Sequence, residues 1–150
     1  MKATSVILIL FCFGALSAFS QNTMKLNIVK NSDDPLSKME RYSSLELENN
    51  SSETKLFEII TLNISCSDTG NNRQVNLIQK ITDINKVEIA NTITLSAGET
   101  FQFYLKTKRP PNTKLTSYNC TQVIAKTNNG SLISEPILIK TFIPNPQNFN

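Results

Sequence analysis

Cys66 and Cys120 are the residues of this 150-residue chain best placed for covalent chemistry. An even pair in an exported chain reads as a disulfide, and a bridge over so long a loop is worth on the order of 4 kcal/mol. Two separate buried thiols are the competing reading. The rest of the catalytic inventory is thin. The sequence has no His and no Trp. Without His it lacks the commonest general base, proton shuttle and metal ligand. Ser is plentiful, but no base or motif marks one as a nucleophile. Glu46 and Glu48 share a strand face and read as solvated carboxylates rather than an acid/base pair. Asp33, Asp34 and Asp68 are isolated. The run Asp68-Thr69-Gly70-Asn71-Asn72 reads as a turn, because it lacks the spaced carboxylates and closing Glu of a calcium loop. No catalytic residue, cofactor or metal is expected, and the chain reads as a non-enzyme. A hydrolase on the same scaffold is the least supported alternative.

Binding is the remaining chemistry. Lys106, Lys108, Arg109 and Lys114 form the one basic cluster, with Tyr104 beside it on the polar parity of its strand. It reads either as an anionic contact, for a glycan, lipopolysaccharide or a partner's acidic face, or as a solvated edge that discourages sheet-to-sheet aggregation. A net charge of +3 is too small for a nucleic-acid binder. Asn-x-Ser/Thr sequons begin at Asn49, Asn50, Asn63, Asn119 and Asn129, where a glycosylating host would add glycans. Asn119 falls on the parity opposite Tyr118 and Cys120, which predicts that it points outward.

The first twenty residues place these groups outside the cytoplasm. Lys2 precedes an unbroken apolar run from Val6 to Phe13, and Ala18 and Ser20 stand at the −3 and −1 positions before Gln21. This is a secretory signal pattern, and the run is shorter than the ~20 residues of a membrane span. An uncleaved anchor is the competing reading. Cys12 lies inside the apolar run, so no lipoprotein cleavage site is predicted. The segment holds 14 of the 59 hydrophobic residues, which leaves the mature chain lean in apolar side chains. The expected location is secreted, periplasmic or cell-surface, with no membrane insertion after cleavage.

The elements that must position these groups are strands. Leu56, Ile60, Leu62, Ile64 and Cys66 fall on one parity and Ile59, Thr61, Asn63 and Ser65 on the other, which predicts that the first set faces the core. Phe101, Phe103 and Leu105 repeat the alternation. Strands are predicted at 24–30, 42–48, 54–66, 74–82, 86–95, 100–107, 117–127 and 131–143, the last broken near Pro136. Turn clusters separate them, including Ser96-Ala97-Gly98-Glu99 and Asn128-Asn129-Gly130, the second a hairpin signal. Pro35 to Arg41 could form one helical turn. The pattern predicts an all-β, antiparallel two-sheet sandwich of about seven strands. The expected organisation is a signal peptide at 1–20, an extension or first strand at 21–41, the sandwich at 42–143 and a disordered tail at 144–150.

Two stretches resemble known families. Leu62-Asn63-Ile64-Ser65-Cys66 and Tyr118-Asn119-Cys120 resemble the cysteine-bearing strands of an immunoglobulin-type sandwich, and the separation of the cysteines fits that family's inter-sheet bridge. The usual Trp is missing. From Glu46 to Thr141 the chain is similar to the fibronectin-III-like and Ig-like modules of exported Bacteroidota proteins. That resemblance rests on Leu95-Ser96-Ala97-Gly98-Glu99-Thr100, the aromatic strand from Phe101 to Lys108 and the Pro110 that follows. It implies a noncatalytic module, structural or binding to an unknown protein or glycan partner, and transfers no catalytic residues. The Tyr-x-Cys strand and the sequons support an alternative, a eukaryotic secreted Ig-like domain with a receptor-like or immune-modulating role.

Overall fold

The computed structural model describes residues 24–30, 36, 38–67 and 73–149. The predicted signal peptide and its expected cleavage site lie outside the described residues. Eight strands follow one another: β1 (Met24–Lys30), β2 (Glu40–Asn49), β3 (Lys55–Ile64), β4 (Ile78–Thr82), β5 (Thr92–Leu95), β6 (Thr100–Lys108), β7 (Ser117–Thr127) and β8 (Ile137–Ile143). They form two four-stranded sheets, ordered β1-β2-β6-β4 and β5-β3-β7-β8. Every ladder within the sheets is antiparallel. The predicted sandwich is the observed fold.

Each sheet turns one parity inward. In the first sheet Leu45 and Leu47 of β2 lie opposite Phe103 and Phe101 of β6. Leu45, Leu47, Phe103 and Leu105 are fully buried against Phe57, Ile59, Val123 and Ile139 of the second sheet. A smaller cluster, Leu36, Leu77 and Ile143, closes one end. Between the clusters Arg41 crosses from sheet to sheet and donates from Nη2 to Thr141 Oγ1 at 3.0 Å.

β3 departs from the expected orientation. Phe57 and Ile59 face the core, while Leu56, Ile60, Leu62 and Ile64 lie on the outer face, with Leu56 and Leu62 exposed. The alternation is real, but both parities are apolar. The pairing of Ile59 with Ala125 and of Thr61 with Val123 decides which one turns inward. The apolar run Val123-Ile124-Ala125 has a related explanation: Val123 and Ala125 are inward and buried, and Ile124 is outward and half-buried, with no register shift.

Cys66 and Cys120 form a disulfide, with Cα atoms 5.4 Å apart. It does not join the two sheets as the Ig resemblance implies. The β3–β7 ladder ends at the Ile64–Cys120 pair, and the bridge fastens the chain just beyond β3 to its neighbour in the same sheet. Asn119 is also corrected. It is only 2% exposed and points inward.

Other differences have local causes. The predicted strand 86–95 shortens to Thr92–Leu95, because Asp83 Oδ1 accepts hydrogen bonds from the Asn85 and Val87 N–H groups and folds 83–88 into a tight turn. The predicted strand 74–82 begins only at Ile78. Before it, Gln74 bridges to Tyr118 of the second sheet, so residues 74–77 carry the chain from one sheet to the other. In place of a helical turn, Lys38 and Met39 bend directly into β2. The Asn128-Asn129-Gly130 turn is present, with Gly130 at φ 68° and its N–H donated to Thr127 O at 2.8 Å. In the tail, Pro146–Phe149 forms a 3-10 turn.

Candidate functional site

The residues of the predicted basic patch sit on or near the outer face of the first sheet. Tyr104 and Lys106 of β6 project outward and half-buried, and Lys108 is exposed. Strand pairing places Lys106 beside Tyr42 of β2 and Lys80 of β4. Its ammonium lies 3.1 Å from Glu40 and 3.8 Å from Glu88. The hydrogen bond to the Glu40 carboxylate holds the Lys106 pKa above the ordinary 10.5, with the Glu88 charge adding to it and burial opposing it. The ring of Tyr104 meets that of Tyr42 edge-on at 6.1 Å, and Lys86 from the 83–88 turn lies 4.9 Å over the Tyr42 ring. Arg109 follows β6, where it donates its backbone N–H to Met39 O and buries an Nη1 that has no hydrogen-bond partner. Lys114 lies further on, in the exposed turn before β7. Tyr104 and Lys106 are thus brought together, while Arg109 and Lys114 leave the sheet. Glu46 and Glu48 are on this same outer face, and Glu46 accepts a hydrogen bond from Gln102 at 3.2 Å.

The sequons divide by burial. Asn49 is fully buried, and its Nδ2 donates to the carbonyls of Glu53, Leu95 and Ser96. Asn119 Nδ2 is held by Asn63 Oδ1 and Val75 O. Neither amide nitrogen is available to carry a glycan in the folded chain. Asn50 and Asn129 are exposed.

The outer face of the second sheet has a different chemistry. Leu62 and Leu138 are 45% and 55% exposed. Strand pairing sets them on either side of Gln122 in one cross-strand row. Ile60 and Ile124 form the next row as a direct pair, half-buried. Ile64 and Phe142 extend the apolar surface toward the disulfide, and the Phe142 ring lies 4.9 Å from that of Tyr118. Charge enters this face at its Glu58–Lys126 row and at Lys140, which lies between Leu138 and Phe142 on the edge strand β8. Glu58 and Lys126 pair with each other at 3.1 Å, and Lys140 lies 5.0 Å over the Tyr118 ring. An antiparallel sheet with one solvated face ordinarily reads polar on that face. Here the outward parity of β3 is as apolar as the inward one. Hydrophobic alternation alone does not show this surface, because it assigns the more apolar parity of β3 to the core.

A polar cleft of about 390 Å³ opens where β3 and β4 diverge, lined in part by Glu58, Thr61, Gln79 and Lys80. Among the described residues no group of three or more His, Cys, Asp or Glu side chains converges as a metal site would require.

No family model and no curated protein sequence matches the chain. Solved structures do match in shape. A FixG-related protein from Vibrio parahaemolyticus superposes with a TM-score of 0.58 at 10% identity, covering 83% of this chain and 99% of that one. Weaker overlaps include Bacteroides uniformis β-glucuronidase, with a TM-score of 0.42 at 14% identity over 81% of this chain and 13% of that one. Another is the ASH/PapD-like domain of human CEP192, with a TM-score of 0.42 at 9% identity over 83% and 87%. At such identities the likeness is one of fold. The FixG-related likeness agrees with the two antiparallel sheets, which define an all-β sandwich domain.

Proposed function

We propose that the chain is an exported, noncatalytic sandwich module, of the fibronectin-III-like or Ig-like kind found in exported Bacteroidota proteins, that works by binding another protein. The observation that supports this most directly is the apolar outer face of the second sheet. A contiguous aliphatic surface beyond a few hundred Å² is uncommon on a monomeric domain and marks an interaction site. Leu62, Leu138 and the Ile60–Ile124 pair offer shape and apolar area rather than reactive groups. The leader pattern and the Cys66–Cys120 disulfide are compatible with an oxidising compartment.

A photo-crosslinking amino acid at position 138, in cells that export the full chain, tests the reading. Covalent protein adducts are expected from position 138 and not from position 104 on the opposite sheet. The chain should be recovered outside the cytoplasm without residues 1–20. Retention in the cytoplasm, or no protein adduct from position 138, would overturn the proposal.

A further inference from the structure

We propose that the uncovered edge of β3 takes up an extended segment of another polypeptide, which pairs with the main chain at Thr61 and Asn63 and sets a side chain into the cleft between β3 and β4. This site is separate from the apolar outer face and lies on the side of the second sheet away from β8.

β5 is too short to cover its neighbour. It pairs with β3 only from Lys55 to Glu58. The Ile59 N–H still reaches Asn91 O at 2.7 Å, and there the contact stops. Residues 89–91 come across from the first sheet, where the Ile89 N–H donates to Ile81 O at 3.0 Å. In an antiparallel ladder the N–H and C=O of one residue point to the same side, and the side alternates along the strand. Ile59 therefore fixes the direction for Thr61 and Asn63. Their N–H and C=O groups point away from β7, into the gap left by β5. Among the described residues no hydrogen bond reaches those groups. Sheet edges are ordinarily blocked by Lys, Pro or a bulge. The run from Ile59 to Ile64 has no Lys or Pro, and its register with β7 is unbroken.

The cleft beside this edge defines what fits. Its volume of about 390 Å³ is that of a ligand site. Residues 89–91 close one end. At the other, the Gln79 amide reaches Asn63 Oδ1 at 2.9 Å and Thr121 Oγ1 at 3.0 Å. The buried Ile59 and Ile81 line it at depth. β4 presents a second unpaired edge here. The Ile81 carbonyl taken by Ile89 faces away from β6, and the Gln79 main chain shares that direction. The charged neighbours are already paired, Glu58 with Lys126 at 3.1 Å and Lys80 with Glu88 at 3.9 Å. Main-chain donors and acceptors at strand spacing match another extended backbone rather than a charged or compact ligand. A segment laid about 4.8 Å from β3, in line with β5, turns alternate side chains into the cleft. A short hydroxyl or amide side chain there can bond the Gln79 main chain. The occupant is thus an uncharged strand with Thr, Ser or Asn at alternate positions.

The probe is the peptide acetyl-Thr-Val-Thr-Val-Thr-amide, added to isotope-labelled chain recovered from exporting cells and followed by NMR. In the free chain the Thr61 and Asn63 amides should exchange with solvent at least about a hundred times faster than those of Ile60 and Leu62, which bond to β7. The peptide should bind with Kd on the order of 1 mM, shift the Thr61, Asn63 and Gln79 resonances saturably and slow exchange at the first two. Two versions N-methylated on alternate amides separate main-chain pairing from side-chain contact. The one blocked on the edge facing β3 should bind at least about ten-fold more weakly, and the other should bind as the parent peptide does. Thr61→Pro removes an N–H that β7 does not use, and should weaken binding by about ten-fold with an unchanged circular dichroism spectrum. If that variant does not fold, the methylated pair decides. Equal binding of the two methylated peptides, or no saturable shift at Thr61 up to about 10 mM peptide, would overturn the proposal. So would Thr61 and Asn63 amides that exchange as slowly as Ile60 in the free chain. Slowing that grows with protein concentration, alongside a doubled mass, would give the edge to a second copy and equally sink the proposal. None of these readings involves position 138, so the apolar face is tested separately.

Discussion

Asn119 on β7 donates a 2.6 Å hydrogen bond to the side-chain carbonyl of Asn63 on β3. That oxygen also accepts from Leu77 N at 3.1 Å and Gln79 Nε2 at 2.9 Å. Asn119 reaches Val75 O at 2.9 Å, and Asn63 Nδ2 reaches Leu77 O at 3.0 Å. Residues 75–77 pass from one sheet to the other, and beyond the Val75 N–H, which donates to Tyr118 O at 3.0 Å, the Val75 carbonyl and the Leu77 N–H and carbonyl need side-chain partners. The two amides are those partners, which gives them a structural role in a chain lean in apolar side chains.

Asn119→Ala leaves the Val75 carbonyl without its side-chain donor and the buried Thr121 hydroxyl without its acceptor, while the exposed Asn63 keeps its bonds from Leu77 N and Gln79 Nε2. The expected cost is about 1–3 kcal/mol. Urea denaturation should show a lower midpoint with an unchanged slope. Asn63→Ala should act in the same direction. The double variant should lose less than the two single losses combined, because the residues share one network. Strictly additive losses would contradict the network.

The disulfide fastens the chain where β3 stops pairing with β7. Its half-cystines are 54 residues apart, so loop closure contributes about 4 kcal/mol in the chain-entropy model. A chain with both Cys66→Ser and Cys120→Ser should unfold at markedly lower urea than the parent. The two sulfurs are joined and both residues are buried, so thiol reagents should label neither Cys66 nor Cys120 in the native parent, nor in the unfolded chain until it is reduced. Native-state labelling of either position would contradict the bridge.

How far the sequence could be read depended on how different the two parities of each strand were. β6 was legible because Phe103 and Leu105 alternate with Gln102, Tyr104 and Lys106. β3 was not. Its outward Leu56, Ile60, Leu62 and Ile64 are more apolar than the half-buried Thr61 and exposed Asn63 that follow Phe57 and Ile59 on the other parity. Hydrophobic periodicity alone picks the greasier side. The actual choice is made by the long-range register with β7 and by the need for Asn63 to reach residue 77. The same expectation turns the apolar outer face of β3 toward the interior, so periodicity alone does not show that surface. The cysteines were paired correctly but assigned to opposite sheets, since spacing carries no information about which neighbour a strand will have. The basic cluster looked bare because Glu40 and Glu88, which surround Lys106, lie far from it in sequence.

Thr116 adopts φ 56° in the turn before β7. A β-branched residue in the left-handed region is disfavoured by about 1–2 kcal/mol. Glycine relieves this, but the greater freedom it gives the unfolded chain offsets roughly 0.5–1 kcal/mol. Thr116→Gly should therefore raise the melting temperature by a few degrees. Asn112, at φ 62°, should gain less from the same change, because Asn tolerates this region. A Thr116→Gly chain that melts below the parent would show that the Thr side chain contributes more than its backbone strain removes.

The Lys106–Glu40 contact sets a pH dependence whose sign is fixed by the direction of the shift. The Glu40 hydrogen bond raises the Lys106 pKa above the ordinary 10.5, with the nearby Glu88 charge contributing less. A lysine whose pKa is raised by folding stabilises the folded state fully at pH values below the ordinary one. That stabilisation is lost as pH rises through the raised value. Glu40→Gln should lower the titration midpoint of the Lys106 side chain followed by NMR. Glu88→Gln should lower it less, since that carboxylate lies 3.8 Å from the ammonium rather than 3.1 Å. The stability difference between parent and Glu40→Gln chains should be present at neutral pH and shrink above about pH 10.5, where the parent's ammonium loses its proton. Equal midpoints in parent and Glu40→Gln chains would mean that Glu40 does not hold Lys106 in solution. Lys106 would then have Glu88, 3.8 Å away, as its neighbouring carboxylate, and more of its charge would face solvent beside Tyr104.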